Sequence, residues 1–305
     1  MAAGTKAFAG KTALITGGAS GIGRALGAEL FRFGAHVVLA DVDGPAAELA
    51  AKRIGDDGPG GSAVGAQLDV RDGAAVRALV ENLAELHGGL HLVFNNAGIS
   101  VGGPTRAMPA AYWDETIDVN LRGVVNGVAA AYPLMAAQGH GHIVNTASLA
   151  GLAPAVFTVA YSATKHAVVG LSTSLRPEAA RFGVKVSVLC PGAVDTPILD
   201  RGTPAGLVPD GGAPMTGREY ISRVGLSPMP VDRFARGALR HVRRNRSIIV
   251  VPGSARAMWY LHRLSPRLSE AVGRRAIRRV TSGAAVAAPA PDVGRTTEEI
   301  PPGDR

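Results

Sequence analysis

Along most of the chain, short apolar runs alternate with stretches in which apolar residues recur every three or four positions. The runs Thr12–Thr16, His36–Asp41, Ala63–Asp69, Leu92–Asn95, His142–Thr146, Lys185–Leu189 and Ile248–Val251 read as strands. Most are continuously apolar, the pattern of strands covered on both faces, hence of a parallel sheet. Helical periodicity covers Ile22–Phe33, Gly73–Leu86, Tyr112–Met135 and Tyr161–Phe182. This alternation predicts an α/β fold, a doubly wound and mostly parallel seven-stranded sheet with helices on both faces. Residues 1–253 then make one domain.

Three segments break the rhythm. Residues 192–230 are crowded with Pro and Gly and have little periodicity, as expected of a substrate loop or lid. Residues 254–281 read as a basic amphipathic helix or helix pair, with Met258, Trp259, Leu261, Leu264, Leu268, Val272 and Ile277 set among arginines. Residues 282–305, rich in Ala, Pro, Gly and charge, read as a disordered tail.

Composition sharpens this picture only in places. With 47% hydrophobic and 18% charged residues over 305 positions, the chain is too apolar for wholesale disorder. The net charge of +8 is unevenly placed. Residues 231–281 carry thirteen Arg against Asp232 and Glu270, which leaves the remainder slightly acidic. Basicity therefore belongs to the C-terminal region. Nothing there resembles a groove-reading motif, so nucleic acid is not an expected partner. Cys190 is the single cysteine, which excludes an internal disulfide and fits a reducing, cytoplasmic setting. The N-terminus lacks signal-peptide order, and no apolar run reaches membrane-spanning length.

Two constellations carry chemistry. In Thr16-Gly-Gly-Ala-Ser-Gly-Ile-Gly23, four glycines fall within seven residues between the first strand and the first helix. Such a turn lets the backbone approach a pyrophosphate, with Gly17, Ser20, Gly21, Ile22 and Gly23 around it and the helix N-terminus offering free N–H groups. A structural glycine turn alone would not need four. Asp41 ends the second strand roughly 20 residues on, where a carboxylate accepts the adenosine ribose hydroxyls and repels a 2′-phosphate. No Lys or Arg lies in the turn, and Val42 follows Asp41. NAD is thereby favoured over NADP, and the sheet reads as a Rossmann fold. The second constellation is Tyr161-Ser-Ala-Thr-Lys165, two side chains four apart on one helical face, preceded by Ser148 near a strand end. A phenol is a poor base at neutral pH until a neighbouring cation favours its phenolate.

Together these residues resemble the short-chain dehydrogenase/reductase family from about Lys11 to Gly253. Asp69 and Val70 match the segment against the adenine ring. Asn95-Asn96-Ala97-Gly98 matches the one that steadies the sheet and borders the cofactor, and Pro191, Gly192, Val194 and Thr196 match the one at the nicotinamide end. The resemblance implies a catalytic set of Asn120, Ser148, Tyr161 and Lys165. Tyr161 would be the base, Ser148 would hold the substrate oxygen, and Lys165 would bind the nicotinamide ribose and lower the Tyr161 pKa. Asn120 would hold a water. It also implies a homo-oligomer, although Pro177 should kink the catalytic helix and disturb the usual tetramer. No metal is implied.

The apolar segment Leu149–Phe157 points to a hydrophobic alcohol or ketone, with Leu152 and Val156 as substrate-lining residues, unless both are simply core. Pro197, Ile198, Leu199, Leu207 and Val208 would form the facing wall. The reading is an NAD-dependent oxidoreductase acting on a hydrophobic secondary alcohol. An NADPH-dependent ketoreductase and a non-catalytic NAD-binding or membrane-associated protein are the alternatives. The 254–281 extension would either cover the substrate cleft or lie peripherally on an anionic membrane surface.

Overall fold

The computed structural model describes residues 7–58, 60–200 and 215–281. Leu207, Val208 and the tail 282–305 therefore lie outside the described residues. Seven parallel strands form one sheet: β1 (Thr12–Thr16), β2 (His36–Asp41), β3 (Ser62–Gln67), β4 (Leu92–Asn95), β5 (Gly141–Thr146), β6 (Val184–Pro191) and β7 (Ile248–Val251). Their order is β3-β2-β1-β4-β5-β6-β7, so the chain leaves β1 toward one edge and returns through β4 toward the other. The loops part at this reversal, and ligands of doubly wound sheets bind there.

Successive strand residues feed opposite faces, as the pleat requires. Ala13, Ile15, Val37, Leu39, Leu92 and Phe94 join one core cluster, while Leu14, Val38, Ala40 and Val93 join another. The first face is covered by α1 (Gly21–Arg32) and α8 (Val231–Arg243), which bring Leu26, Leu30, Phe234 and Leu239. The second is covered by α3 (Gly73–His87), α5 (Gly123–Gln138) and α6 (Val159–Ala180), through Val76, Val80, Met135 and Ala179. Between β2 and β3 runs α2 (Gly44–Asp56), started by the Asp43 side chain accepting from the Ala46 N–H at 3.0 Å.

The expected strands appear with small shifts. β3 stops at Gln67 rather than Asp69, because the Asp69 carboxylate turns back to accept the backbone N–H of Arg71. The single helix expected over Tyr112–Met135 is instead α4 (Ala110–Ile117) and α5, joined by a π-helical turn at Asp118–Arg122. The wider turn leaves Asn120 fully buried, with its side chain bonded sideways to another segment instead of lying along the helix surface. α6 continues through Pro177 to Ala180, so the proline sits in its last turn, far from Tyr161 and Lys165. The extension is a helix pair, α9 (Gly253–Leu264) and α10 (Pro266–Thr281), with α7 (Gly217–Arg223) beside α10. Among the described residues no helix is long and apolar enough to cross a membrane.

Candidate active site

The loops leaving the C-terminal ends of β1, β4, β5 and β6 carry the site. Thr16, the last residue of β1, is its hub. Its hydroxyl accepts the N–H groups of Asn96 at 2.9 Å and Ala97 at 3.0 Å, and donates to Phe94 O at 3.4 Å. Asn96 returns a bond from its side-chain amide to Thr16 O at 3.0 Å. The amide oxygen of Asn96 accepts from Thr146 Oγ1, at the end of β5, at 3.3 Å. Three loops are thus tied at one point.

The glycine turn closes against this hub. Gly17 has φ +63°, and a Cβ there would lie 2.8 Å from Ala97 Cα, while a Cβ on Gly23 would collide with Gly17 O. Only glycine lets both backbones approach so closely. Ser20 precedes α1 without capping it, and the first turn holds no acidic residue. Its N–H groups and the positive end of the dipole remain for an anion, which is what a pyrophosphate needs. Asp41 braces the turn: Oδ2 accepts the Ala19 N–H at 3.0 Å and Oδ1 the Asp43 N–H at 3.3 Å. Each carboxylate oxygen keeps a second lone pair for a ribose hydroxyl.

The nicotinamide-end segment arches back to the same turn. β6 ends at Pro191, and the Gly192 N–H donates to Val251 O at 2.9 Å. Val194 is buried, and Thr196 comes within 3.4 Å of a Cβ built on Gly21. Asp69, expected beside the adenine ring, lies just past the end of β3 and bonds Arg71. Arg71 grips both of its oxygens, at 2.6–3.0 Å, and holds its carboxyl below the usual range. Beside it, Val70 is buried and its carbonyl accepts from Asn126 Nδ2 at 2.8 Å.

The residues expected to be catalytic converge from three segments, the π turn, the loop after β5 and α6. Asn120, on the π turn, accepts the Ile99 N–H at 2.8 Å and donates to Ile99 O at 2.9 Å. A Cβ on Gly98 would lie 3.0 Å from Asn120 Oδ1 and 3.4 Å from Lys165 Nζ, so these three are neighbours. Lys165 is buried and donates to Thr146 O at 3.0 Å, with Nζ 5.4 Å from the centre of the Tyr161 ring. Ser148 follows β5, accepts the Ala150 N–H at 3.1 Å and bonds the Tyr161 phenol. Burial pushes that phenol above its ordinary range, and the Ser148 bond pulls it partly back. Burial also lowers Lys165 to about 8. The pair therefore holds a protonated phenol beside an ammonium that titrates near neutrality, and a negative charge on either neighbour of Lys165 would favour its charged form. Cys190 lies beneath them, its thiol pushed up to about 12 by burial.

Leu152 is buried in a core cluster with Val124, Val168, Val188 and Val250, whereas Val156 is half-buried. Of the two residues expected to line a cleft, Val156 is thus the more accessible. Next to it, Phe157 has φ +60° and its carbonyl accepts the Gly103 N–H at 2.8 Å, a strained turn that links this loop to the one after β4. Sequence reasoning missed Thr16, Thr146 and a buried ladder in which Asn95 donates to Asn145 at 2.8 Å and Asn145 to Ser172 at 3.0 Å. The only sign of this ladder was a run of polar residues in otherwise apolar strands.

Fold and site define a class, and comparison agrees with it. The description "short chain dehydrogenase" matches residues 11–205, and the chain belongs to that family of oxidoreductases. It is 36% identical to levodione reductase of Leifsonia aquatica over 197 residues, 64% of this chain and 74% of that protein. It is equally identical to the putative oxidoreductase SadH of Mycobacterium tuberculosis over 264 residues, 84% of this chain and 91% of that one. Among solved structures, a short-chain dehydrogenase/reductase from Burkholderia phymatum in complex with NAD superposes with a TM-score of 0.75 at 34% identity. That match covers 86% of this chain and 95% of the other.

Proposed function

We propose that this protein is an NAD-dependent dehydrogenase that interconverts a hydrophobic secondary alcohol and its ketone. The observation that carries this reading is the meeting of Ser148, Tyr161 and Lys165 beside the glycine cradle, with Asn120 behind them. Nicotinamide dinucleotide bound in the cradle supplies the hydride acceptor for the oxidation. Gly17, Ser20, Gly21, Ile22 and Gly23 would hold its pyrophosphate, Asp41 its adenosine ribose, Asn96, Ala97 and Gly98 its middle, and Pro191, Gly192, Val194 and Thr196 its nicotinamide end. Val70 would pack against the adenine. Asp69 would reach it only by sharing its carboxylate with Arg71.

Ser148 Oγ hydrogen-bonds the substrate oxygen and supports charge that develops there. Burial leaves the resting phenol protonated, so Tyr161 first releases its proton to solvent, and the phenolate Oη then takes the hydroxyl proton as the carbonyl forms. Lys165, charged at neutral pH, stabilises the Tyr161 phenolate and donates to a ribose hydroxyl. The Asn120 side chain is committed to Ile99, so a water held at this position would have to rest on the backbone of the π turn rather than on the side-chain amide. Val156, Ile198 and Leu199 offer the apolar lining that a hydrophobic substrate needs. The exposed apolar groups Val125 on α5 and Phe182 after α6 suit contact with a second copy.

A panel of hydrophobic secondary alcohols with NAD, followed at the absorbance of reduced nicotinamide, tests the assignment. Tyr161→Phe should lower turnover by at least about a thousandfold, within the range general-base removal commonly produces, while NAD still binds. Activity of the variant within tenfold of the parent would remove Tyr161 from the mechanism.

A further inference from the structure

The helix pair α9–α10 has an inner side that is accounted for. Ala255 is buried and Trp259 packs on the cluster around Leu152 and Val250. At the far end Val280 is buried, and its carbonyl accepts from Arg223 of α7 at 3.3 Å. Midway, a Cβ on Gly273 would lie 3.8 Å from Val156 Cγ1, so α10 roofs the loop that follows Ser148.

The outer side has a different character. Tyr260 and Leu264 lie four apart on α9 and are 50% and 86% exposed; Leu268 and Val272 lie four apart on α10 and are 50% and 39% exposed. Four-residue spacing puts each pair on one side of its helix. Arg263, Arg267, Arg274, Arg275 and Arg278 are exposed around them. The one carboxylate in this region, Glu270, is 3.6 Å from Arg274. Apolar side chains this open, set among almost purely cationic neighbours, match a surface that is anionic outside and apolar within. A protein partner would have to offer acids around a hydrophobic groove, whereas a bilayer offers both without any matching shape. Arginine stems can also lie along the apolar region while their heads stay at the phosphate level.

We infer that the outer face of α9–α10 docks on the surface of an anionic lipid bilayer, with Tyr260, Leu264 and Leu268 entering the boundary between headgroups and acyl chains. The docking rests on the helix pair alone. Its consequence rests on the proposed function: since α10 also roofs Val156, docking sets the cleft beside the bilayer, where a hydrophobic alcohol is dissolved.

The test uses the full chain and sedimentation with vesicles of phosphatidylcholine, with and without phosphatidylglycerol. Expected is binding only to the phosphatidylglycerol vesicles, weakened by salt as surface attraction is screened. Reversing Arg274 and Arg275 to Glu should weaken partitioning by roughly fivefold or more per residue. Leu264→Glu with Leu268→Glu should abolish it, while NAD binding by the variant, measured by calorimetry, shows that it is folded. Three outcomes would overturn the inference. The parent could ignore both vesicles. It could bind regardless of the leucine changes, which would make the attraction purely ionic. Or the leucine changes could split a dimer in sedimentation velocity with no vesicle binding by the parent, which would give the face to a second copy. Vesicle binding without oxidation of any hydrophobic alcohol would sink the proposed substrate class and leave the docking intact.

Discussion

Lys165 illustrates how a single residue trades stability for chemistry. Its ammonium is buried, with Thr146 O as its described hydrogen-bond partner, and its pKa falls from 10.5 to about 8. In the unfolded chain the amine keeps its proton up to 10.5, so between about 8 and 10.5 the unfolded state binds more protons and stability rises with pH. Below about 8 the full penalty applies, on the order of 3 kcal/mol. Lys165→Met should therefore raise the melting temperature at pH 7 while removing activity and weakening NAD binding. That gain should shrink as pH rises through 8 to 10.5. Thermal melts at both ends of the range check this, and a variant destabilised at pH 7 would refute it. Asp41 works by selection rather than strain. Its bonds to Ala19 and Asp43 fix the carboxylate beside the glycine turn, and under the proposed function it would repel a 2′-phosphate there. The parent should prefer NAD over NADP by at least about tenfold in kcat/KM, some 1.4 kcal/mol. Asp41→Ala should narrow that gap, chiefly by easing NADP binding, and equal efficiency of the parent with both cofactors would overturn the assignment.

At the scale of elements, local pattern made the sheet legible and long-range polar contacts stayed hidden. Apolar runs located the strands covered on both faces, while the edge strand β3, with Val64 exposed, was found by its place in the β-α alternation. The glycine turn and the Tyr161–Lys165 spacing were legible because each is confined to neighbouring residues. The π turn at Asn120 was not, since what opens it is the bond to Ile99, twenty-one residues away. Nor was the Leu152 and Val156 division, which depends on which way a loop turns after β5. The buried polar links between strands belong to the same category. His142 of β5 bonds Ser187 of β6 at 2.8 Å, and Ser187 donates to Arg246 O at 2.6 Å before β7. Because the Ser187 proton is used there, His142 Nε2 must donate, and burial keeps the ring neutral. Burial drives its pKa from 6.5 to about 3. The unfolded chain takes up this proton near 6.5 and the folded one only near 3, so the stability it confers is complete above 6.5 and lost as pH falls toward 3. His142→Gln should flatten denaturant-measured stability across that interval. An unchanged acid slope would show that other groups govern it.

For the whole molecule, the division of charge follows a division of labour. Outside residues 231–281 the chain is slightly acidic, and thirteen arginines gather in that stretch, which holds the covering helix α8 and β7 as well as α9 and α10. Within that region α9 and α10 do different things. α9 belongs to the body: Ala255 is buried, and a Cβ on Gly192 would meet it at 2.7 Å, so α9 backs the segment proposed to hold the nicotinamide end. Cutting the chain at Gly253 would open this core and disturb the proposed cofactor pocket together with the cleft. α10 is attached more lightly, through Ser269, Val280, the Arg223 bond and its approach to Val156. Truncation after Ser265 should therefore leave the sheet folded and NAD affinity within about twofold, a change worth under half a kcal/mol. The loop carrying Val156 would lose its roof. Bulky apolar substrates should then show a KM raised by about tenfold, since burying an extra side chain's worth of apolar surface is worth roughly 1.5 kcal/mol or more, while small alcohols change little. Steady-state kinetics across alcohols of increasing size, with calorimetric NAD binding on the same preparation, separates these effects. A uniform fall in kcat for all sizes would mean that α10 supports the catalytic loop itself, and unchanged kinetics throughout would mean that it does not cover the cleft.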